Sequence, residues 1–204
     1  METLFIEAKY DKPIKIGKIA DRLEGIIGLV SSIQFLEGLS LIKKQLKKAV
    51  IGGQILGCDV SNALKINNKV DSFLYIGDGS FHPLKVALET KKEVFTFNPF
   101  SKTFGKIDKK DVENYKKRKK GALLKFLSAD NVGILVSTKP GQYYDIKKLS
   151  FLEKKYPKKK FYTFIAETID YSQLENFPFI RAWVNTACPR IDEDISVVNV
   201  EEIK

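Results

Sequence analysis

The stretch Trp183-Val184-Asn185-Thr186-Ala187-Cys188-Pro189-Arg190 decides how this chain is read. A short apolar run meets a cysteine, and a proline follows at once. Proline has no amide donor and biases the residue before it towards extended backbone. The pattern predicts a strand that stops at Cys188, with the sulfur at the carboxyl edge of a sheet. In open parallel sheets that edge is where ligands bind. The second of the chain's two cysteines, Cys58, closes Gln54-Ile55-Leu56-Gly57-Cys58-Asp59, again an apolar run before a polar break.

Outward from this stretch, strands and helices alternate. Expected strands are Leu4 to Ile6, Gly25 to Val30, Gln54 to Cys58, Val70 to Ile76 and Glu93 to Phe97. Further on they are Val132 to Val136, Phe161 to Ile165, Phe179 to Val184 and a weak Ile195 to Val198. The helix after Ser31-Ser32 is expected to carry Ile33, Leu36, Leu39, Ile42 and Leu46 on one face and to end near Gly52-Gly53. Short helices are expected at Lys18 to Glu24, Val60 to Leu64 with Asp59 as cap, Pro83 to Thr90, Tyr144 to Tyr156 and Tyr171 to Glu175. A long charged helix is expected from Asp108 to about Ser128, with Val112, Tyr115, Leu123, Leu124 and Leu127 as its apolar positions. This alternation predicts an α/β fold of two similar small domains, 1–108 and 109–204, each a mainly parallel sheet flanked by helices. Each domain holds one cysteine, and no repeat is evident at the level of sequence.

At 204 residues and 44% hydrophobic content the chain can fill two small cores. No apolar run approaches the roughly 20 residues of a membrane helix, and the first residues lack the basic and apolar regions of a secretory signal. A cytoplasmic protein without a membrane partner is expected. Two cysteines 130 positions apart do not make a disulfide framework. Metal binding or catalysis is one reading of them, and two buried apolar residues is the other.

The net charge is +10, and only four of the 35 basic residues are arginine. Lys109 to Lys120 carries seven basic and two acidic residues, and Lys154 to Lys160 carries five lysines and no acid. Scarce arginine and the lack of an RNA-binding aromatic signature make nucleic acid an unexpected partner. Solvated helix faces are the favoured reading of these runs, and docking of an acidic partner is the alternative.

Gly77-Asp78-Gly79 joins a strand to a helix, where glycines let a ligand approach the backbone and the helix amino end favours an anion. It lacks the third glycine of a dinucleotide fingerprint. Lys139-Pro140-Gly141-Gln142 stands in the same place in the second half. Either loop also reads as an ordinary strand-to-helix turn. His82 is the single histidine, too few for a zinc site without other ligands. No G-x-S-x-G elbow is present, so a serine hydrolase is excluded. A nucleophilic Cys58 or Cys188 paired with His82 remains open on residues alone.

QILGCD (54–59), YIGDGSFHPL (75–84), FNPFSKTF (97–104), VSTKPGQ (136–142) and FPFIRAWVNTACPRI (177–191) together resemble one family, over nearly the whole chain. It is the archaeal diphthamide synthase family, 2-(3-amino-3-carboxypropyl)histidine synthase, and the likeness is to its second and third domains. The resemblance implies three related α/β domains, each giving one cysteine to a [4Fe-4S] cluster, with Cys58 and Cys188 as the ligands of the second and third. It implies S-adenosylmethionine as substrate, cleaved to a 3-amino-3-carboxypropyl radical that adds to a histidine of translation elongation factor two. Gly77, Asp78, Gly79, His82, Lys139, Gly141 and Gln142 are then expected around S-adenosylmethionine, with Lys139 facing its carboxylate and Asp59 and Arg190 beside the cluster.

Nothing in the chain matches the family's first domain. Two thiolates alone hold a cubane cluster poorly, so a separate chain carrying the first domain, in a dimer or hetero-oligomer, is expected to supply the third. A truncated gene product, and a non-catalytic scaffold that binds the elongation factor or a catalytic partner, are the alternatives.

Overall fold

A computed structural model describes residue 4, residues 6–57, 59–190 and 197–203. Two compact units divide the chain, Met1–Val112 and Glu113–Lys204.

In the first unit, β1 (Ile27–Ser31) is followed by a 3-10 turn at Ile33–Phe35, α1 (Leu39–Lys43), β2 (Ala49–Gln54) and α2 (Ser61–Ile66). Then come β3 (Ser72–Ile76), α3 (Phe81–Thr90), β4 (Val94–Asn98) and β5 (Thr103–Lys106). The sheet runs β2-β1-β3-β4-β5, with the first four strands parallel and β5 antiparallel to β4. Its two faces are both dry. Ile27, Leu29, Leu74 and Ile76 pack with Phe35, Leu39 and Ile42 on one side. Val30, Phe73 and Tyr75 pack with Val60, Ala63 and Val86 on the other. Burial of both faces is why β1 and β3 read as continuous apolar runs.

In the second unit, α4 (Lys109–Ser128) leads into β6 (Asn131–Ser137), α5 (Ser150–Lys155), β7 (Lys160–Ala166), β8 (Ala182–Asn185) and β9 (Val198–Asn199). The division between units falls inside α4. The sheet runs β7-β6-β8-β9 and is parallel throughout. Counted from the first strand of each unit, both sheets share the order 2-1-3-4. No described helix is long and apolar enough to cross a membrane.

Register exposes a repeat that composition hides. Gly28 of β1 pairs with Phe73 of β3, and Gly133 of β6 pairs with Trp183 of β8. A Cβ on Gly28 would lie 2.7 Å from the Phe73 ring, and one on Gly133 2.2 Å from the Trp183 ring. Each glycine thus makes room for an aromatic side chain of the third strand.

Several expectations are corrected. Leu4 and Ile6 are exposed and lie in no strand, and Phe5 is outside the described residues. The long helix expected from Ile33 to Gly52 is a 3-10 turn, α1 and then β2. Gly38 opens α1 because it packs under Ile14, whose Cδ1 would be 2.6 Å from a Cβ there. The Gln45 side chain then ends the segment by binding the backbone of Ile14 and Ile16. Gly52 and Gly53 lie in β2, where Gly52 is the residue passed over by the register shift between Leu29 and Val30 and Gly53, paired with Val30, has φ +109°.

In α4 the buried positions are Tyr115, Ala122 and Phe126, whereas Leu124 and Leu127 are exposed. The lysine run 154–160 is not wholly a solvated face. Lys155 donates to the Ile203 carbonyl, and Lys159 caps the end of α4 through the Leu127 and Ala129 carbonyls. Of the tail strand, Ile195 lies outside the described residues.

Candidate functional site

The carboxyl edge of each sheet carries the loops singled out in the sequence. In the first unit β3 ends at Ile76, and the Gly77 amide continues the pairing by donating to the Phe97 carbonyl at 3.0 Å. A Cβ on Gly77 would stand 2.4 Å from the Tyr75 hydroxyl, so only glycine lets that phenol fold back beneath the loop. Asp78 is exposed. Its Oδ1 accepts from the Gly79 amide and from Asn98 Nδ2, both at 2.8 Å. Gly79 has φ +74°, the left-handed region that glycine enters without strain.

His82 is the second residue of α3. It stacks on Tyr75 with ring centroids 6.0 Å apart and meets Phe81 edge-on at 5.8 Å. Burial pushes the Tyr75 phenol up to about 12, and the Asp78 charge adds to this while the Ser32 hydroxyl works the other way.

Cys58 lies outside the described residues. Its neighbours do not. Gly57 packs so closely on Phe81 that a Cβ would fall 1.8 Å from the ring. Leu56 and Asp59 exchange backbone hydrogen bonds at 2.9 and 3.2 Å, bracketing positions 57 and 58. The QILGCD and GDGSFH segments therefore meet at Gly57 and Phe81. The N-cap of α2 is Val60 rather than Asp59 as expected. Asp59 lies one residue earlier, where it accepts from the Ser61 amide at 2.8 Å, and its bonds to Ser61 hold its carboxyl below the usual range.

In the second unit Lys139-Pro140-Gly141-Gln142 is a tight turn, closed by the Gln142 amide on the Lys139 carbonyl at 3.0 Å. Gly141 has φ +78°, as a proline-glycine pair in a type II turn requires. Ser137 Oγ fastens the turn to the strand edge, donating to the Glu167 carbonyl and accepting from the Lys139 amide. Lys139 is half-buried and Gln142 exposed.

β8 does not run to Cys188 as expected. It ends at Asn185, because the Asn185 side chain takes over the backbone groups that a longer strand would have paired. Its Oδ1 accepts from the Ala187 amide at 3.0 Å, and its Nδ2 donates to the Cys188 carbonyl at 3.1 Å. Thr186 anchors the same turn through its amide and hydroxyl, both donating to the Leu135 carbonyl. Cys188 is a free, half-buried thiol on the loop that follows. The Lys139 turn and the Cys188 loop leave the carboxyl ends of adjacent parallel strands, β6 and β8.

Sequence reasoning passed over Tyr75, Asn98, Asn185, Thr186 and Asn199. The signal available was polar or hydroxylated residues at the end of an apolar run, where side chains substitute for lost backbone partners.

Among the described residues no cluster of three or more His, Cys, Asp or Glu could hold a metal ion. Cys188 nevertheless suits a cluster ligand, being unpaired, partly exposed and mounted on a loop whose backbone is pinned at three successive residues. The described residues supply one thiolate, position 58 is the other in the chain, and any further thiolate ligand comes from outside these 204 residues.

The family model for diphthamide synthesis proteins matches residues 1–197. The chain belongs to that family. It is 35% identical over 144 residues to 2-(3-amino-3-carboxypropyl)histidine synthase of Pyrococcus horikoshii, covering 70% of this chain and 40% of that protein. It is 26% identical over 206 residues to subunit 1 of the synthase from Nematostella vectensis, covering 94% and 43%. The crystal structure of Dph2 from Pyrococcus horikoshii with a 4Fe-4S cluster superposes with a TM-score of 0.74 at 30% identity, over 92% of this chain and 58% of that one. The chain thus spans well under two thirds of the relatives it matches.

Proposed function

We propose that this chain forms two of the α/β domains of a 2-(3-amino-3-carboxypropyl)histidine synthase. The reaction moves a 3-amino-3-carboxypropyl group from S-adenosylmethionine to a histidine of translation elongation factor two. The observation that carries the reading is a diphthamide-family match over residues 1–197 that includes both cysteine motifs, with Cys188 held at the carboxyl edge of its sheet. Cys58 and Cys188 act as thiolate ligands of a [4Fe-4S] cluster, as suits the cluster-bearing Dph2 relative. The chemistry the cluster supplies when bound is one electron to the sulfonium, which opens its carbon–sulfur bond.

Two cysteines leave ligands to be brought from outside, by another segment of a longer protein or by a partner chain in a dimer or hetero-oligomer. The residues of the chain have separable tasks around the substrate. Asp78 brings a carboxylate to the amino end of α3 and suits the cationic part of the methionine moiety. Lys139 suits its carboxylate. Gly77, Gly79, Gly141 and Gln142 offer backbone or amide contacts, and His82, fixed by stacking on Tyr75, offers an imidazole. A reducing cytoplasm would keep both thiols available.

The scaffold alternative relies on the lysine runs for docking. Lys119 paired with Glu202, and Lys155 and Lys159 bonded to carbonyls, are already engaged within the second unit, which favours the enzyme reading.

The test is anaerobic turnover by this chain together with the segment or chain bearing the remaining cysteine. Methylthioadenosine and the mass gain on the elongation-factor histidine are measured. Cys58→Ala and Cys188→Ala are each expected to abolish both signals. Unchanged turnover with both cysteines replaced would leave the scaffold reading in its place.

A further inference from the structure

Asn185 is only 1% exposed, yet its side chain makes three hydrogen bonds. Two hold the backbone of Ala187 and Cys188, as described above. The third runs from Nδ2 to Asn199 Oδ1 at 2.7 Å. The in-register pairing of Asn185 with Asn199 across β8 and β9 sets these two amides side by side. From Asn199, Nδ2 donates to Glu202 Oε1 at 3.2 Å, and that same oxygen takes Lys119 Nζ of α4 at 2.5 Å. A continuous polar chain thus links the cysteine loop to the charged helix, wholly within the second unit. It crosses an otherwise apolar region containing Val184, Val198 and Val200. A buried amide with its partners satisfied is costly to disturb, because each partner left alone pays its own desolvation.

We propose that Asn185 is the positioning residue for the Cys188 thiol, with Asn199, Glu202 and Lys119 bracing it in that order of diminishing effect. The inference rests on the reading of Cys188 as a cluster ligand. Asn185 touches neither cluster nor substrate. It acts by fixing the two peptide units that lead into and out of the cysteine, and so the direction in which the Cα–Cβ bond presents sulfur. Cluster ligation needs fixed sulfur directions, which a loop held by Thr186 alone would not give.

The experiment follows alkylation of Cys188 by iodoacetamide in the full chain carrying Cys58→Ser, by intact mass, over a pH series carried up to the plateau of the rate. Asn185→Leu removes all three bonds at similar volume and is expected to raise the plateau rate about tenfold. Asn185→Asp keeps the acceptor for the Ala187 amide and is expected to recover part of the protection. Asn199→Ala should give an intermediate rise, and Lys119→Met the smallest.

Hydrogen exchange read on the same variants should quicken at 186–188 and leave β1 and β3 of the first unit unchanged, which separates local release from general loosening. Should Asn185→Leu fail to fold, Asn185→Asp and Asn199→Ala carry the same comparison. Alkylation rates within twofold of the parent in all folded variants would overturn the proposal. Iron content of the assembled protein distinguishes the two readings. Faster alkylation in a chain that never takes up iron upholds the positioning and removes the cluster. Iron uptake with unchanged alkylation does the reverse.

Discussion

The two units share a strand order and build their carboxyl edges from different materials. Aligning Gly28–Phe73 with Gly133–Trp183 sets Tyr75 opposite Asn185 and Asp78 opposite Cys188. The loop after the second strand aligns as well. Asp59 accepts from the Ser61 amide, and that bond first of all holds its carboxyl low, whereas Asp170 is held low first by the Ser172 hydroxyl and then by the Ser172 amide, both donating to it. On that alignment position 58 falls opposite Ile169. The first unit carries its cysteine after its second strand and an aspartate after its third, whereas the second unit carries its cysteine after its third. One scaffold thus offers two loops for a thiol, and each unit uses a different one. The surroundings differ accordingly. Rings and glycines shape the first unit's edge, with Gly57 under Phe81 and Gly77 over Tyr75. Side-chain amides and hydroxyls shape the second.

The difference is open to direct attack. The largest effect is expected at Gly57, where a Cβ has no room beside Phe81. Gly57→Ala should cost about 3 kcal/mol in denaturant unfolding, part of it restored by adding Phe81→Ala. Its counterpart Thr168 is exposed, and replacing it should change stability by less than about 0.5 kcal/mol. Equal costs at the two positions would break the alignment.

Next comes the buried polar pair. Asn185→Leu should cost roughly 2 kcal/mol, because it strands the Asn199 amide and two backbone groups. Tyr75→Phe should cost less than this near neutral pH.

That tyrosine also sets a pH window. A phenol lifted from 10.0 to about 12 resists ionisation when folded, so its stabilising effect is complete below pH 10 and lost as pH rises to about 12. Chemical unfolding at a series of pH values should show the parent losing stability relative to Tyr75→Phe across that window, by an amount on the order of 2 kcal/mol. Parallel curves for the two proteins would mean that the phenol is not held by burial.

The smallest effects are expected at the matched aspartates, Asp59 and Asp170. Asp59→Ala and Asp170→Ala should each lower the melting temperature slightly at pH 7. Both carboxyls are held below 3.8, so the loss should fade as pH falls through that range. A large difference between the two would argue against the loops being counterparts.

Much of this was legible in the residues. Apolar runs such as Gly25 to Val30 and Val132 to Val136 gave the parallel strands, because a strand buried on both faces shows no polar alternation. The proline-glycine turn at 140–141 was readable from local chemistry alone, whereas Asp59, expected as the cap of α2, stands one residue before the N-cap Val60. The repeat was not, since it lives in pairing register and Phe73 and Trp183 are different residues that share an aromatic ring and a glycine partner one strand away. The strand end at Asn185 was missed for a related reason. Asparagine at the end of an apolar run signals that a side chain can replace backbone partners, but not that its amide will be turned onto residues two and three ahead. The helix expected up to Gly52 failed because Ile33, Leu36, Leu39 and Ile42 fit a helical period, while the packing of Gly38 on Ile14 is a tertiary fact. The motif GDGSFH located the first unit's edge, but the part of Gly57 in joining QILGCD to it appears only when Phe81 is seen against it.

The central claim is that Cys58 and Cys188 serve one iron–sulfur cluster completed from outside the 204 residues. Iron and acid-labile sulfide, counted after anaerobic reconstitution of this chain alone and with the segment or chain bearing the remaining cysteine, test it most directly. The account predicts about four irons and four sulfides per assembled complex, as a cubane cluster requires, few on the chain alone, and loss of the cluster with either Cys58→Ser or Cys188→Ser. A full complement that survives both substitutions would contradict it.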